Sequence, residues 1–183
     1  METNPALEIE RQQIEQAKRD PRHFAPLYNA YFETIFRFIH SRVRDKDLTG
    51  DLCSQTFTKA LFALKGYKFM GYPLSTWLFR IALNEVNMHF RKQKKEQLVP
   101  ISEQQLGELS EEVGDEDETR DLENLIIGMN LLDEANTDIL EMRFFEKRRF
   151  AEIGQILGIS EDNAKMRVYR AVKKLKELMK ERS

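Results

Sequence analysis

Apolar residues recur every three or four positions through most of this chain. Between Ala25 and Val43, Leu27, Tyr28, Tyr31, Phe32, Ile35, Phe36 and Ile39 keep a 3.6-residue period, which predicts one long helix. Arg44-Asp45-Lys46-Asp47 interrupts it. A second helix is predicted over 48–64, with Cys53, Phe57, Ala60, Leu61 and Leu64 on one face. Gly66 and Gly71 bound a short loop, Gly66-Tyr67-Lys68-Phe69-Met70-Gly71-Tyr72. Pro73 suits the first position of a third helix, where its missing N–H costs nothing, and that helix is predicted to run to Lys94. Ahead of these, Leu7, Ile9 and Ile14 predict a short helix within 1–20, closed off by Pro21 and Pro26.

Periodicity is lost over 96–120, where Pro100, Gly107, Gly114 and the run Asp115-Glu116-Asp117-Glu118 stand. Clustered like charges repel one another, so this stretch reads as a flexible linker. Helical spacing resumes at Leu122, Leu125, Ile126, Met129 and Leu132. A second short helix carries Ile139, Leu140 and Met142, and a third runs over 150–157. Gly158 is placed to end that helix. Ser160 is placed to cap the last one, with Glu161 and Asp162 favourable to its dipole. The pattern therefore predicts an all-α chain of two small helical domains, 1–95 and 121–183, joined by an acidic linker over 96–120.

Composition narrows the class. Of 183 residues, 41% are hydrophobic and 33% charged, while Gly and Pro number only 8 and 5. So few turn-formers argue against a β-sandwich. The single cysteine, Cys53, allows no internal disulfide and no thiolate metal site, and the chain reads as cytoplasmic. No apolar run is long enough to span a bilayer, and Met1 to Arg11 does not read as a signal peptide.

The net charge of −2 hides an asymmetry. Residues 1–95 hold 16 Lys/Arg against 10 Asp/Glu; 96–123 hold 1 against 11; 124–183 hold 12 against 10. Basic blocks on either side of an acidic one suggest polyanionic partners.

Phe150 to Leu178 is the strongest local signal. A short helix with Ala151, Ile153 and Ile156, a Leu157-Gly158-Ile159 turn and a longer helix make a helix-turn-helix pattern. On the longer helix, Ala164, Val168, Ala171, Val172, Leu175 and Leu178 form one apolar stripe. Asp162, Asn163, Met166, Tyr169, Arg170 and Lys173 fall opposite it, with Lys165 and Arg167 on the flanks. Such a face can enter a major groove and offer donors to base edges and phosphates. An ordinary amphipathic helix would show the same basic face; turn, cap and stripe together favour DNA.

The third helix carries a second pattern. Thr76, Arg80, Asn84, Asn87 and Arg91 are spaced to make one polar stripe, which ends in Arg91-Lys92 and Lys94-Lys95. The loop before it holds Tyr67, Phe69 and Tyr72, which suit either a core or stacking on bases. Aromatics beside amides and cations suit single-stranded nucleic acid. Trp77, between Leu74, Leu78 and Ile81, is predicted in the core. No catalytic constellation stands out. His23, His40 and His89 lack ligand spacing, Cys53 falls on an apolar face, and no phosphate loop or zinc signature is present. The chain reads as a non-enzyme without cofactor or metal.

These residues resemble the extracytoplasmic-function (ECF) group of bacterial sigma factors, over 22–95 and 121–180. Asp51-Leu52-Cys53-Ser54-Gln55-Thr56-Phe57 is similar to the group's Asp-Leu-x-Gln-x-x-Phe. Thr76-Trp77-Leu78-Phe79-Arg80-Ile81-Ala82-Leu83-Asn84 is similar to its Trp-Leu-x-Arg-Ile-Ala-x-Asn. Ala151 to Ser160 with Lys165 to Ala171 resembles its helix-turn-helix. Departures are Gly50 where Ala is common before the Asp, Asn163-Ala164 for Thr-Val, and Met166 for a small polar residue.

The resemblance implies roles. Asp51, Leu52 and Gln55 would dock on the clamp of the polymerase β′ subunit. Tyr67, Phe69, Tyr72, Arg80, Asn84, Asn87 and Arg91 would recognise and open the −10 element. Asn163, Lys165, Met166, Arg167, Tyr169, Arg170 and Lys173 would read the −35 element as duplex. The acidic linker would run through the polymerase cleft toward the RNA exit path, with β beside β′ among the polymerase surfaces met. Partners implied are core RNA polymerase, promoter DNA and an anti-sigma factor, without membrane insertion.

Overall fold

The computed structural model describes residues 5–93, 109 and 118–180. The chain divides into two units, Met1–Gln93 and Lys94–Ser183. Every regular element among the described residues is helical.

The first unit holds α1 (Pro5–Arg19), a 3₁₀ turn (Pro21–Phe24), α2 (Ala25–Val43), α3 (Lys46–Ala63), a second 3₁₀ turn (Leu64–Gly66) and α4 (Leu74–Gln93). The break after α2 has a local cause. Arg44 takes a left-handed conformation (φ 51°), and Asp45 then caps α3 by accepting the Leu48 N–H at 2.9 Å. Helices α2, α3 and α4 pack on one another in all three pairs. Their buried residues include Leu27, Ile35 and Ile39, then Leu52, Cys53, Phe57 and Ala60, then Leu74, Leu78, Ala82 and Val86. The Phe57 ring meets Tyr28 edge-on at 4.7 Å and Phe24 at 6.4 Å. Cys53 is an apolar core residue whose burial pushes its thiol up to about 11. Lys59 donates to both oxygens of the buried Glu85 carboxylate, at 2.6 and 2.7 Å, and so pins α3 to α4.

The second unit holds α5 (Glu118–Leu131), α6 (Glu134–Leu140), a π-type turn (Glu141–Phe145), α7 (Phe150–Leu157) and α8 (Glu161–Lys180). Met142, expected on the helix of Ile139 and Leu140, instead lies in the π turn that follows it. Helix α8 is the hub and packs on α5, α6 and α7. Leu125, Met129, Ile139, Ile153, Ile156, Val168, Ala171 and Leu175 are buried. Asp133 joins two helices. It accepts the Asn136 N–H at the start of α6 and the Lys174 ammonium of α8 at 2.6 Å, and the second bond holds its carboxyl below its ordinary range.

The turn between α7 and α8 follows its predicted chemistry. Gly158 sits at φ 68°, a conformation that side chains with a Cβ rarely adopt. The Ile159 N–H bonds back to Gly154 O at 2.9 Å, and Ser160 Oγ accepts the Asn163 N–H at 3.2 Å. Glu152 completes the start of α7 by accepting the Arg149 N–H at 2.9 Å. Gly154 was not singled out in the sequence, yet a Cβ there would lie 2.8 Å from Ile159 O, which is backbone. Gly154→Ala is expected to destabilise the second unit by about 1–3 kcal/mol, as overpacking does. Gly50, mid-α3, has nothing within 4 Å of its Cβ position, so Gly50→Ala should stabilise by about 0.5–1 kcal/mol. Thermal unfolding of the two variants checks the opposite signs.

Of the linker reading over 96–120, residues 118–120 already belong to α5, and Leu109 is fully buried. The remainder, and the cluster Lys94-Lys95, lie outside the described residues.

Candidate nucleic-acid interface

On the first unit, the predicted polar stripe of α4 is present in part. Asn84 and Arg91 are exposed and Arg80 is half-buried. Thr76 spends its hydroxyl on Pro73 O at 3.0 Å, within the first turn of the helix. Asn87 is corrected: at 8% exposure it belongs to the interior. The reason is the width of the buried arc. Both α2 and α3 cover α4, and Asn87 lies only about 40° round the helix from buried Leu83. Spacing on one helix shows which residues share a side, but not how far the neighbouring helices reach round it.

The loop before α4 divides its aromatics. Tyr67 is half-buried and packs on Trp77 with ring centroids 4.8 Å apart. Trp77, predicted in the core, is only partly buried. It lies on the margin between the apolar and polar sides of α4 and covers Tyr67. Phe69 is half-buried, whereas Tyr72 and Met70 are exposed, Met70 by 71%. The loop therefore presents a partly open aromatic surface directly ahead of Arg80 and Asn84.

On α3, Asp51 and Gln55 are exposed, one turn apart. Leu52 is corrected: it is 3% exposed and part of the three-helix core, so it cannot offer a docking side chain. The motif fits with one displacement. In Asp-Leu-x-Gln-x-x-Phe the fourth position is Ser54 here, and Gln55 follows it; both are exposed. Phe62 was missed. It is 81% exposed and seven residues beyond Gln55, on the same side of the helix. A large apolar residue in line with a polar pair was the available signal.

On the second unit, α8 presents Asn163, Lys165, Met166, Arg167, Tyr169, Arg170 and Lys173 to solvent. Met166 and Tyr169 are half-exposed apolar surfaces among the cations, and the Lys165 ammonium lies 5.9 Å from the Tyr169 ring. Of the opposite stripe, Ala164, Val168, Ala171, Val172 and Leu175 are buried, whereas Leu178 is only partly so. Among the described residues no group of His, Cys, Asp or Glu could hold a metal ion, and no helix is long and apolar enough to cross a membrane.

Comparison with known proteins gives a family match in each unit. Residues 27–96 match Sigma-70 region 2, and residues 128–177 match Sigma-70, region 4. The ECF RNA polymerase sigma factor SigM of Bacillus subtilis is 30% identical over 154 residues, covering 83% of this chain and 92% of SigM. The chain belongs to the ECF sigma factors. As a member it directs RNA polymerase to promoters and starts transcription there. The ECF sigma factor BldN of Streptomyces coelicolor is 29% identical over 158 residues, covering 85% of this chain; the chain spans 60% of BldN's length. Among solved structures, CnrH, determined with the cytosolic domain of CnrY, superposes with a TM-score of 0.58 at 20% identity. That likeness covers 95% of this chain and 99% of CnrH, and it bears on the fold.

Proposed function

We propose that the two units of this sigma factor divide promoter recognition, with 1–95 docking on core polymerase and opening the −10 element, and 121–183 reading the −35 element. The observation that carries this reading is the separation of two kinds of surface. An aromatic loop with exposed amide and guanidinium groups suits unpaired bases. A helix in a helix-turn-helix, bearing an exposed face of Arg, Lys, Asn, Tyr and Met, suits a duplex groove.

The polymerase contact is Asp51, Ser54 and Gln55 on the exposed side of α3, extended by Phe62. The −10 contacts are Phe69, Tyr72, Arg80, Asn84 and Arg91, with Tyr67 supporting the loop from below. The −35 contacts are Asn163, Lys165, Met166, Arg167, Tyr169, Arg170 and Lys173. The acidic stretch between the units occupies a basic channel of polymerase otherwise used by nucleic acid. The protein acts in the cytoplasm without catalysis of its own. An anti-sigma factor holds it inactive; the factor RpoE of Bartonella quintana, whose structure covers 87% of this chain with a TM-score of 0.51, was solved with the anti-sigma factor NepR.

Footprinting of the polymerase complex on a bound promoter tests the division. Protection of duplex at −35 and permanganate-reactive thymines confined to −10 support it. A bubble without −35 protection, or protection without a bubble, contradicts it.

A further inference from the structure

Helix α1 precedes the stretch matching region 2, yet it packs against α2 and both 3₁₀ turns of the first unit. Its inner face is formed by Glu10, Ile14 and Ala17, four and three residues apart. A carboxylate on a buried helix face is costly unless its oxygens are hydrogen-bonded. Both Glu10 oxygens are. Oε2 accepts the Leu74 N–H at 2.9 Å, across 64 residues of chain. Oε1 accepts the Tyr31 O–H of α2.

Leu74 is the first residue of α4. The N–H groups of a helix's first turn have no partner within the helix, and the dipole there favours a negative charge. Pro73 can donate nothing, so α4 takes its cap from another helix. The loop 67–73 ends at this point, and its first residue is near the same carboxylate. Burial pushes the Tyr67 phenol up to about 12, and the Glu10 charge adds to that shift. Tyr67 in turn packs on Trp77, one turn into α4. One side chain of α1 thus bonds the backbone N–H at which the aromatic loop ends and α4 begins, one turn ahead of the Trp77 ring on which Tyr67 packs.

We infer that Glu10 is a positioning residue for the −10 surface: it holds the start of α4, where loop 67–73 ends, against α1 and α2 so that Phe69, Tyr72 and Asn84 meet unpaired DNA in a fixed arrangement. The inference rests on the −10 reading above. Glu10 is buried with both oxygens bonded within the unit, and the polar pair Asp51 and Gln55 lies on another helix.

The test uses the full chain bound to core polymerase and a labelled non-template-strand oligonucleotide spanning the −10 element of a promoter recovered by sequencing polymerase-bound fragments. Glu10→Ala removes both bonds, so the start of α4 is no longer held, and is expected to weaken strand binding about tenfold. Affinity for core polymerase should change less than about twofold by the same arithmetic. Glu10→Gln keeps an oxygen for Leu74 N–H and an amide donor for the Tyr31 oxygen, so strand binding should return close to the wild-type level. In the free chain, emission of Trp77, the single tryptophan, should shift in Glu10→Ala and not in Glu10→Gln.

The double variant Phe69→Ala, Tyr72→Ala separates the failures. If it loses strand binding and Glu10→Ala does not, the positioning role is overturned while the −10 surface stands. If it too binds like wild type, the −10 surface itself is wrong, and the inference falls with it. Equal loss of core-polymerase affinity and strand binding in Glu10→Ala would make Glu10 a general fold determinant and would also overturn the role.

Discussion

Replacing Asp51 and Gln55 together with alanine is expected to weaken binding to core polymerase at every promoter. Both side chains are exposed on α3, one turn apart, and neither joins the three-helix core. Surface substitutions of this kind change stability by about 0.5 kcal/mol or less, so the fold should be spared. Asn84→Ala should behave differently. Asn84 is exposed on α4, where a side-chain amide can hydrogen-bond the edge of an unstacked base. Its loss should leave polymerase affinity intact and impair opening, or change the preferred −10 base. Core-polymerase affinity measured beside permanganate reactivity of the bubble separates the two. If Asn84→Ala loses polymerase affinity as badly as the double variant, or the double variant binds normally, the assignment of faces is wrong.

The second large effect concerns the duplex. Arg170 is exposed on α8, opposite the buried stripe of Val168, Ala171 and Val172. A guanidinium placed there can bind a guanine edge in bidentate fashion or a phosphate. Arg170→Ala should reduce −35-dependent transcription by about 1–3 kcal/mol in activation terms, the value of one base contact. A loss confined to promoters with one −35 base identity assigns Arg170 to that base. A loss uniform across sequences assigns it to phosphate, with a shallower salt dependence. No loss would mean that another face of α8 meets DNA.

Much of this architecture was legible because its signals are local. The bounds of α2 and α7 follow from periodicity and from residues just beyond their ends, and Gly158 and Ser160 end one helix and start the next by backbone geometry and a single hydrogen bond. What escaped the sequence depends on distant packing. Leu52 and Asn87 look available on a single helix and are buried by its neighbours. Gly154 is needed only because Ile159 O folds back against it. The cap on α4 comes from Glu10, 64 residues earlier, and no spacing rule connects them. Trp77 is only partly buried, and the Tyr67 ring packed on it comes from a loop whose residues follow no periodicity.

The central claim, that this chain selects promoters for polymerase, is tested most directly by run-off transcription with purified core polymerase, with and without the protein. The templates are promoters recovered from polymerase-bound fragments, each paired with versions altered at −35 or −10. The account predicts no defined transcript from core polymerase alone, a discrete transcript when the protein is added, and its loss when either element is altered. Added protein that yields no discrete transcript, or a transcript indifferent to both elements, would contradict it.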